Sequence, residues 1–304
     1  MEVLCLCLLA LGYINRGEPL AGVNAGRAAL DISQQINNVW TQVYSVLNLN
    51  RALLDMGEYE EALRVTQQGM EMARTLPNPT LLFFMLTVSG AVHQAMLRLE
   101  EAYEVLKESL AISSTIAVRS YKVLATSRLC ANRALVGDWK TAYTYALETV
   151  AIREDINDSM FFIDFTRYYE TEALLRGGDE EWAREDVQRL GRHITTNRRQ
   201  RLDYLRALAT LAQWDGDARE ALASLQEAAM LAKEIGLPGE LWQIEVALGE
   251  VYTSRGEMKQ AHQAFARAVA MVQGLAEKME DVELRTNFLA ALAVQHVLEL
   301  GRAW

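Results

Sequence analysis

The 304 residues predict an all-α fold, a right-handed α-solenoid of about seven helix hairpins closed by a C-terminal capping helix. Three observations point there. A glycine-plus-acid turn recurs at Gly57-Glu58, Gly137-Asp138, Gly178-Asp179, Gly216-Asp217 and Gly256-Glu257, with a weaker copy at Gly17-Glu18 and one with Leu97 in the glycine slot. The steps between turns are 40, 40, 40, 41, 38 and 40 residues, and self-similarity at such a period marks a stacked array in which each unit buries its apolar face against the next. A small residue then follows each turn at one fixed spacing, as Gly22, Ala62, Ala102, Ala142, Ala183, Ala221 and Ala261, where two helices have to approach closely. With 51% hydrophobic residues and only four prolines, the chain is expected to be ordered without long linkers.

Taken in order, Val3 to Ile14 (VLCLCLLALGYI) is a nearly unbroken apolar run. It lacks a basic leader, Glu2 precedes it, and twelve residues are too few to span a bilayer. It reads instead as the first helix of repeat one, since Tyr13 precedes the Gly17 turn as Tyr252 precedes Gly256. A terminal helix apolar all round is expected to be covered, by an upstream part of a longer protein or by a second copy of the chain. The last repeat is the clearest: Leu248 and Tyr252 share one face of its first helix, Gly256 breaks that helix, and Ala261, Phe265 and Ala268 share a face of the second. Leu76-Pro77-Asn78-Pro79 and Gly236-Leu237-Pro238-Gly239 read as turns between repeats. In the fifth repeat Gly177 and Gly178 both qualify as the turn. The array is placed at residues 1–275 and the cap at 276–304, where Leu284, Phe288, Leu289 and Leu292 are expected to cover the last repeat.

The order Leu248, Gly249, Tyr252, Ala261, Phe265, Ala268 resembles the tetratricopeptide repeat, although Glu245 stands in the tryptophan slot and the late proline is absent. The longer period resembles the C-terminal superhelices of bacterial signalling ATPases and transcriptional regulators of the maltose-regulon activator type, and also the peptide-binding arrays of cell-polarity adaptors, while the tail from Asp281 to Leu292 resembles a helix that closes the repeat region of large bacterial ATPase and cyclase regulators. The resemblance implies a non-catalytic interaction or sensing domain, either the regulatory part of a larger regulator or a free-standing adaptor that holds a partner's peptide or helix. It implies a protein or peptide partner, with a small molecule as the other candidate, and a cytoplasmic setting.

Composition narrows the classes further. A net charge of −10 and a pI near 5.1 oppose binding to phosphate backbones, so no nucleic-acid partner is expected. Cys5, Cys7 and Cys130 form an odd, sparse set, which fits a reducing compartment. Acidic residues such as Glu60, Glu61, Glu100, Glu101, Asp179 and Asp217 recur at the start of the second helices. Recurrence in register is what helix capping predicts and what a single active site does not. His93, His193, His262 and His296 lie apart, and His93 takes the slot of Tyr252, which suits a half-buried hydrogen-bonding role. No phosphate-binding GxxxxGK[ST] or nucleophile-elbow motif is present. The chain is therefore read as a non-enzyme without cofactor or metal.

In tetratricopeptide folds the first helix of each repeat builds the concave wall, so residues 13, 10 and 6 before each turn are expected to face the groove. The outer row is Tyr44, Phe84, Leu124, Phe165, Asp203 and Gln243; the next Leu47, Thr87, Ser127, Tyr168, Arg206 and Val246; the third Arg51, Ala91, Ala131, Glu172, Thr210 and Glu250. From these, Tyr44, Leu47, Arg51, Phe84, Thr87, Ser127, Phe165, Tyr168, Glu172, Arg206 and Thr210 are the candidate ligand-binding residues. Phe165 and Tyr168 stand out because nine of the 24 aromatics fall between Trp139 and Trp182. A second candidate is a basic stretch, Arg189, Arg192, Arg198, Arg199 and Arg201. It reads either as a solvated helix end or as a docking patch for an acidic or phosphorylated protein surface.

Overall fold

The computed structural model describes residues 1–156, 166–194 and 197–302; the expected groove residue Phe165, with Phe161 and Phe162, lies outside them. Among the described residues there are sixteen helices and no strand. Seven hairpins pair α1 (Glu2–Arg16) with α2 (Pro19–Gln35), α3 (Val39–Asp55) with α4 (Tyr59–Thr75), α5 (Pro79–Ala95) with α6 (Leu99–Ser113), and α7 (Arg119–Leu135) with α8 (Trp139–Ile156). They continue with α9 (Arg167–Gly177) and α10 (Glu180–His193), α11 (Arg198–Trp214) and α12 (Ala218–Ile235), and α13 (Pro238–Ser254) and α14 (Met258–Glu277). The tail is two short helices, α15 (Val282–Ala290) and α16 (Leu292–Arg302).

The repeated turn has one backbone cause. Gly17, Gly57, Gly137, Gly178, Gly216 and Gly256 all take φ between 70° and 94°, and Leu97 takes 58° in the same slot. This left-handed conformation closes each first helix; it is open to glycine and strains other residues. Gly178 is the fifth turn, whereas Gly177 belongs to α9 and lies against the ring of Tyr143. The six alanines that follow the turns are all fully buried, because a larger side chain would part the helices crossing there.

Capping of the second helices is less uniform than their acids predict. Asp217 accepts from the N–H groups of Arg219 and Glu220, and Asp138 accepts from that of Thr141. Glu58, Asp179 and Glu257 make no such bond. The side-chain caps on the first helices are asparagines: Asn38, Asn78 and Asn197 each accept an N–H three residues on, at 3.0–3.1 Å. Glu245, in the tryptophan slot, is buried and held by two hydrogen bonds from Arg267, so an α13–α14 ion pair replaces an aromatic contact.

The first helices stack on one another as an inner wall, and five repeats bring the chain round on itself: α11 meets α1 and α13 meets α3. The seam is built from the repeat-two turn and the end of the array. Lys278 Nζ donates to the carbonyl of Met56 at 2.7 Å and pairs with Glu58 at 2.8 Å. The Glu60 carboxylate accepts the backbone N–H groups of Glu280 and Asp281. Beneath them the ring of Tyr59 meets the edge of Phe288 at 6.3 Å, and one apolar core runs from Val43 and Leu53 to Val272, Leu275, Val294 and Val297.

The cap covers this core through Phe288, with Leu284 and Leu289 partly buried against it. Leu292, expected to join them, is 89% exposed. The helix breaks at Ala291, whose ψ is 137°, and the second segment turns Val294 and Val297 inward instead. On α1, Val3, Cys7, Ala10 and Ile14 face inward, while Leu8 and Leu9 are exposed.

Gly57 serves both as a turn and as the floor of the seam, since a Cβ there would lie 2.4 Å from Leu275 and 3.0 Å from Pro238. At Gly137 the same φ meets open space. Gly57→Ala is expected to destabilise the fold by roughly 1–3 kcal/mol more than Gly137→Ala, because overpacking adds to the shared backbone strain. Urea denaturation of the two variants measures the difference, and equal losses would mean that the seam yields freely.

Candidate functional site

Closing the ring encloses a cavity of about 330 Å³ against the inner wall. Repeats two to four supply one side, and α9, α11 and α13 supply the other through residues such as Tyr168, Arg199 and Trp242. Of the candidate residues, Tyr44, Leu47, Arg51, Phe84, Thr87 and Tyr168 line it, with Leu124, Ala91, Ala131 and Gln243 from the same rows. Tyr44 stacks on Trp40 at 5.4 Å, and Phe84 packs edge-on to Tyr121 at 5.0 Å. Both rings are thereby fixed before anything binds. Thr87 is tied to Ser109 at 2.8 Å, so it contributes mainly its methyl group.

Four candidates do not line the cavity, each because a neighbour claims it. Ser127 is buried and hydrogen-bonded to Thr166 and to the carboxylate of Glu170. Glu170 is itself fully buried and held by Arg153, beside Asp186 and Arg167. A carboxylate that deep needs every donor within reach, and Ser127 is one of them. Glu172 turns back to Arg176 on its own helix at 2.7 Å. Thr210 donates to the Arg206 carbonyl at 3.1 Å. Arg206 is buried behind the wall, with its guanidinium 3.5 Å from the Tyr168 ring centre and donating to Gln243 at 2.8 Å and to Glu240.

The basic stretch is likewise dispersed. Arg189 pairs with Glu154, Arg198 with Glu234 and Arg201 with Glu227, while Arg192 is exposed. Arg199 is no surface residue: it is buried at the seam, 3.0 Å from Asp55 and 2.9 Å from Glu240. Helical register explains the separation, because consecutive arginines on one helix point to different faces.

Electrostatics divides the two acids that share Arg199. Burial raises the Asp55 carboxyl, against the pull of Arg199 and Arg51. Burial also works to raise Glu240, yet Arg199 and Arg206 flank it and hold it below the ordinary glutamate range. Both acids line the cavity and both are engaged by arginine, so neither is placed to act as a free base. Burial pushes the Tyr168 hydroxyl well above its usual value, so it stays protonated. The rest of the lining mixes aliphatic and aromatic side chains with polar ones, among them Asn48, Arg51, Gln94, Arg128 and Gln243, the combination of apolar surface and placed polar groups found in binding pockets.

Reading three rows of the groove missed part of the wall. Asn48, Val88 and Arg128, nine residues before their turns, and Asp55, Ala95 and Leu135, two before, also line the cavity. The signal was available, because a helix face repeats at i, i+3, i+4 and i+7. No periodicity could have found Arg199, Glu240 or Trp242, which reach the cavity only through closure of the ring.

No known protein-family model matches the chain, and no curated protein matches it. Solved structures do. A Rap protein complexed with competence and sporulation factor superposes with a TM-score of 0.71 over 91% of this chain and 76% of that one, at 12% identity. The Rap conjugation gene regulator of plasmid pLS20, in complex with the Phr* peptide, gives 0.71 over 90% and 74%, also at 12% identity. The apo form of RapI gives 0.64 over 92% and 100%, at 12%.

The fold is a tetratricopeptide-like helical solenoid. At this identity the likeness concerns the fold alone, and these structures lend no support to the resemblance to signalling ATPases. Among the described residues, no helix is long and apolar enough to cross a membrane.

The buried network around Glu240 yields a prediction with a sign. A carboxyl held low stabilises the fold above its unfolded value of 4.5, and that stabilisation is lost as pH falls through the lower folded value. Glu240→Gln is therefore expected to cost roughly 3 kcal/mol at pH 7, as breaking one side of a buried pair does. The gap to wild type should narrow only below pH 4.5. Denaturant titrations from pH 7 downward test this, and a gap that stays constant with pH would remove the ion pairs from the account.

Proposed function

We propose that this chain is a peptide-binding domain, which holds a short linear segment of a partner in the cavity enclosed by its inner helices and signals occupancy to whatever it is attached to or associates with. The observation that carries this reading is the cavity itself. It is about 330 Å³, near the lower end of the roughly 300–1,000 Å³ usual for ligand sites. That size suits a few residues of extended chain better than a folded surface. The pre-packed rings of Tyr44 and Phe84 offer apolar anchors, and such anchoring lowers the ordering cost of binding. The Rap structures, two of which contain a peptide or signalling factor, share this architecture, and that supports the reading without supplying the ligand.

A sensing role follows from the position of the cavity. Its walls come from both sides of the seam, so an occupant bears on the contacts that close the ring. It shifts the balance between closed and open arrays to the extent that it binds one better. The regulator setting drawn from the sequence belongs to this proposal as its natural context.

The test uses fluorescence polarisation with synthetic pentapeptide pools against the whole chain. Val88 lines the cavity and is half-buried, so Val88→Trp places a large ring in the space a peptide needs. It is expected to weaken the best pool at least tenfold while leaving the helical signal and melting temperature near wild type. Undiminished binding by a folded Val88→Trp protein would move the site out of the cavity.

A further inference from the structure

A cleft of about 1220 Å³ lies on the other side of α13 from the cavity. Trp242 and Gln243 face the cavity, whereas Pro238, Leu241, Glu245, Leu248 and Tyr252 form the floor of the cleft. That floor is one helical stripe of four turns, about 21 Å long. Its walls are Ala229, Met230 and Lys233 of α12 and Arg267, Ala270 and Met271 of α14. The start of α2 closes one end, because the ring brings the Gly17 turn against Ile235. The apolar surface here is open to water, with Met230 64% and Leu20 60% exposed.

Elsewhere the same positions carry ion pairs. Beside α5, Arg74 of α4 reaches across to Glu108 of α6 at 2.8 Å, from one wall to the other. Arg119 and Lys122 of α7 pair with Asp155 and Glu148 of α8, and Arg198 and Arg201 of α11 pair with Glu234 and Glu227 of α12. Counted from the turns, Pro238, Leu241, Arg267 and Gly274 take the places of Arg198, Arg201, Glu227 and Glu234. Lys233 and Arg267 take the places of Arg74 and Glu108. Two cations repel and cannot tie the walls together. Arg267 bonds Glu245 at the floor instead, through Nε and Nη2. The cleft above them is left apolar.

Charge and backbone chemistry decide what fits. The lining carries Lys233, Arg267 and Lys278 against Glu18 and Glu245. Arg267 is matched by Glu245, Glu18 by Arg16 and Lys278 by Glu58. Lys233 is exposed and makes no salt bridge among the described residues. On a chain of net charge −10, this local positive balance selects acids over bases. The walls are helices whose amides bond within themselves. An extended segment laid on them would lose water from its own amides without gaining partners, whereas a helix brings its bonds with it. Methionine walls adapt to an aliphatic helix face.

We propose that this cleft is a docking groove for an acidic amphipathic helix of a partner protein. Its aliphatic face lies on Met230, Leu241 and Met271, and a carboxylate stands between Lys233 and Arg267, as Glu108 stands against Arg74. The groove is separate from the inner cavity, and its assignment does not depend on what the cavity holds.

The experiment titrates the whole chain with fluorescent, stapled probe helices of about 14 residues, the length of the floor. One carries leucines on one face flanked by glutamates, the second has lysines in place of the glutamates, and the third is the acidic probe scrambled. The acidic probe is expected to bind about tenfold more tightly than either of the others. Lys233→Glu builds with Arg267 a cross-groove pair of the Arg74–Glu108 kind, and it should weaken the acidic probe about tenfold. Met230→Asp should do the same by charging the wall. Lys259→Glu, at an exposed position outside the groove, changes the net charge equally and should shift binding less than threefold. Circular dichroism checks that each variant is folded.

An acidic probe that binds no better than the basic or scrambled one overturns the proposal, as does one that binds Lys233→Glu and Lys259→Glu alike. Sedimentation velocity of the chain alone supplies the remaining outcome. Self-association that Lys233→Glu abolishes would give the groove to a second copy and overturn the partner helix. Each of these results leaves the reading of the inner cavity standing.

Discussion

The structure depends on the contact between the turn of the second repeat and the end of the seventh. A repeat array needs only neighbour-to-neighbour packing to persist, but this one gains a long-range closure. Its visible polar contacts are weak contributors. The Lys278–Glu58 pair is about one-third exposed on each side, and such pairs contribute roughly 0–1 kcal/mol. The apolar layer beneath outweighs it. Tyr59 and Phe288 are almost wholly buried against each other, and burying side chains of this size is worth about 1.5–3 kcal/mol each. The ion pairs set the register in which that burial happens. Gly57 permits it, because any side chain there would occupy the place of Leu275.

Closure also changes what the concave wall is. In an open array the inner rows line a long groove. Here the groove is divided, and its C-terminal part is filled by the protein's own side chains, with Arg206 stacked on Tyr168 and bonded to Gln243 and Glu240. What stays open is a cavity between the inner rows of repeats two to four and residues of α9, α11 and α13 such as Tyr168, Arg199 and Trp242. The division is electrostatic in origin. Arginines drawn inward from an acidic chain bring carboxylates with them, and such clusters are kept only when fully paired. Arg199 joins the two limbs of the ring through Asp55 and Glu240, so the polar end of the cavity and the seam are one structure.

The residues that line the cavity come from either side of the seam. The likeness to Rap structures, at 12% identity, is one of fold. The cavity combines apolar rows with polar and charged side chains such as Asn48, Arg51, Arg128 and Gln243.

The period of forty, the turns and the small residues after them were legible in the chain because each is a local demand. A left-handed turn selects glycine at Gly57 or Gly256, and a helix crossing selects alanine at Ala62 or Ala261, whatever the rest of the molecule does. The inner rows were legible for the same reason, since Tyr44, Phe84 and Thr87 follow from helical geometry once the turns are known. Ser127 and Arg206 were misplaced because a count along the helix cannot see the buried partners, Glu170 and Glu240, that draw them out of the groove. Leu292 was misplaced because the cap breaks at Ala291. The sequence by itself determined the hairpin, its repetition and the face each helix turns inward. Tertiary structure alone decided that five repeats complete a turn, that Asp55 meets Arg199 across 144 residues, and hence that the groove becomes a cavity. The small rotation between successive hairpins sets the closure, and that rotation is a sum over every interface in the ring.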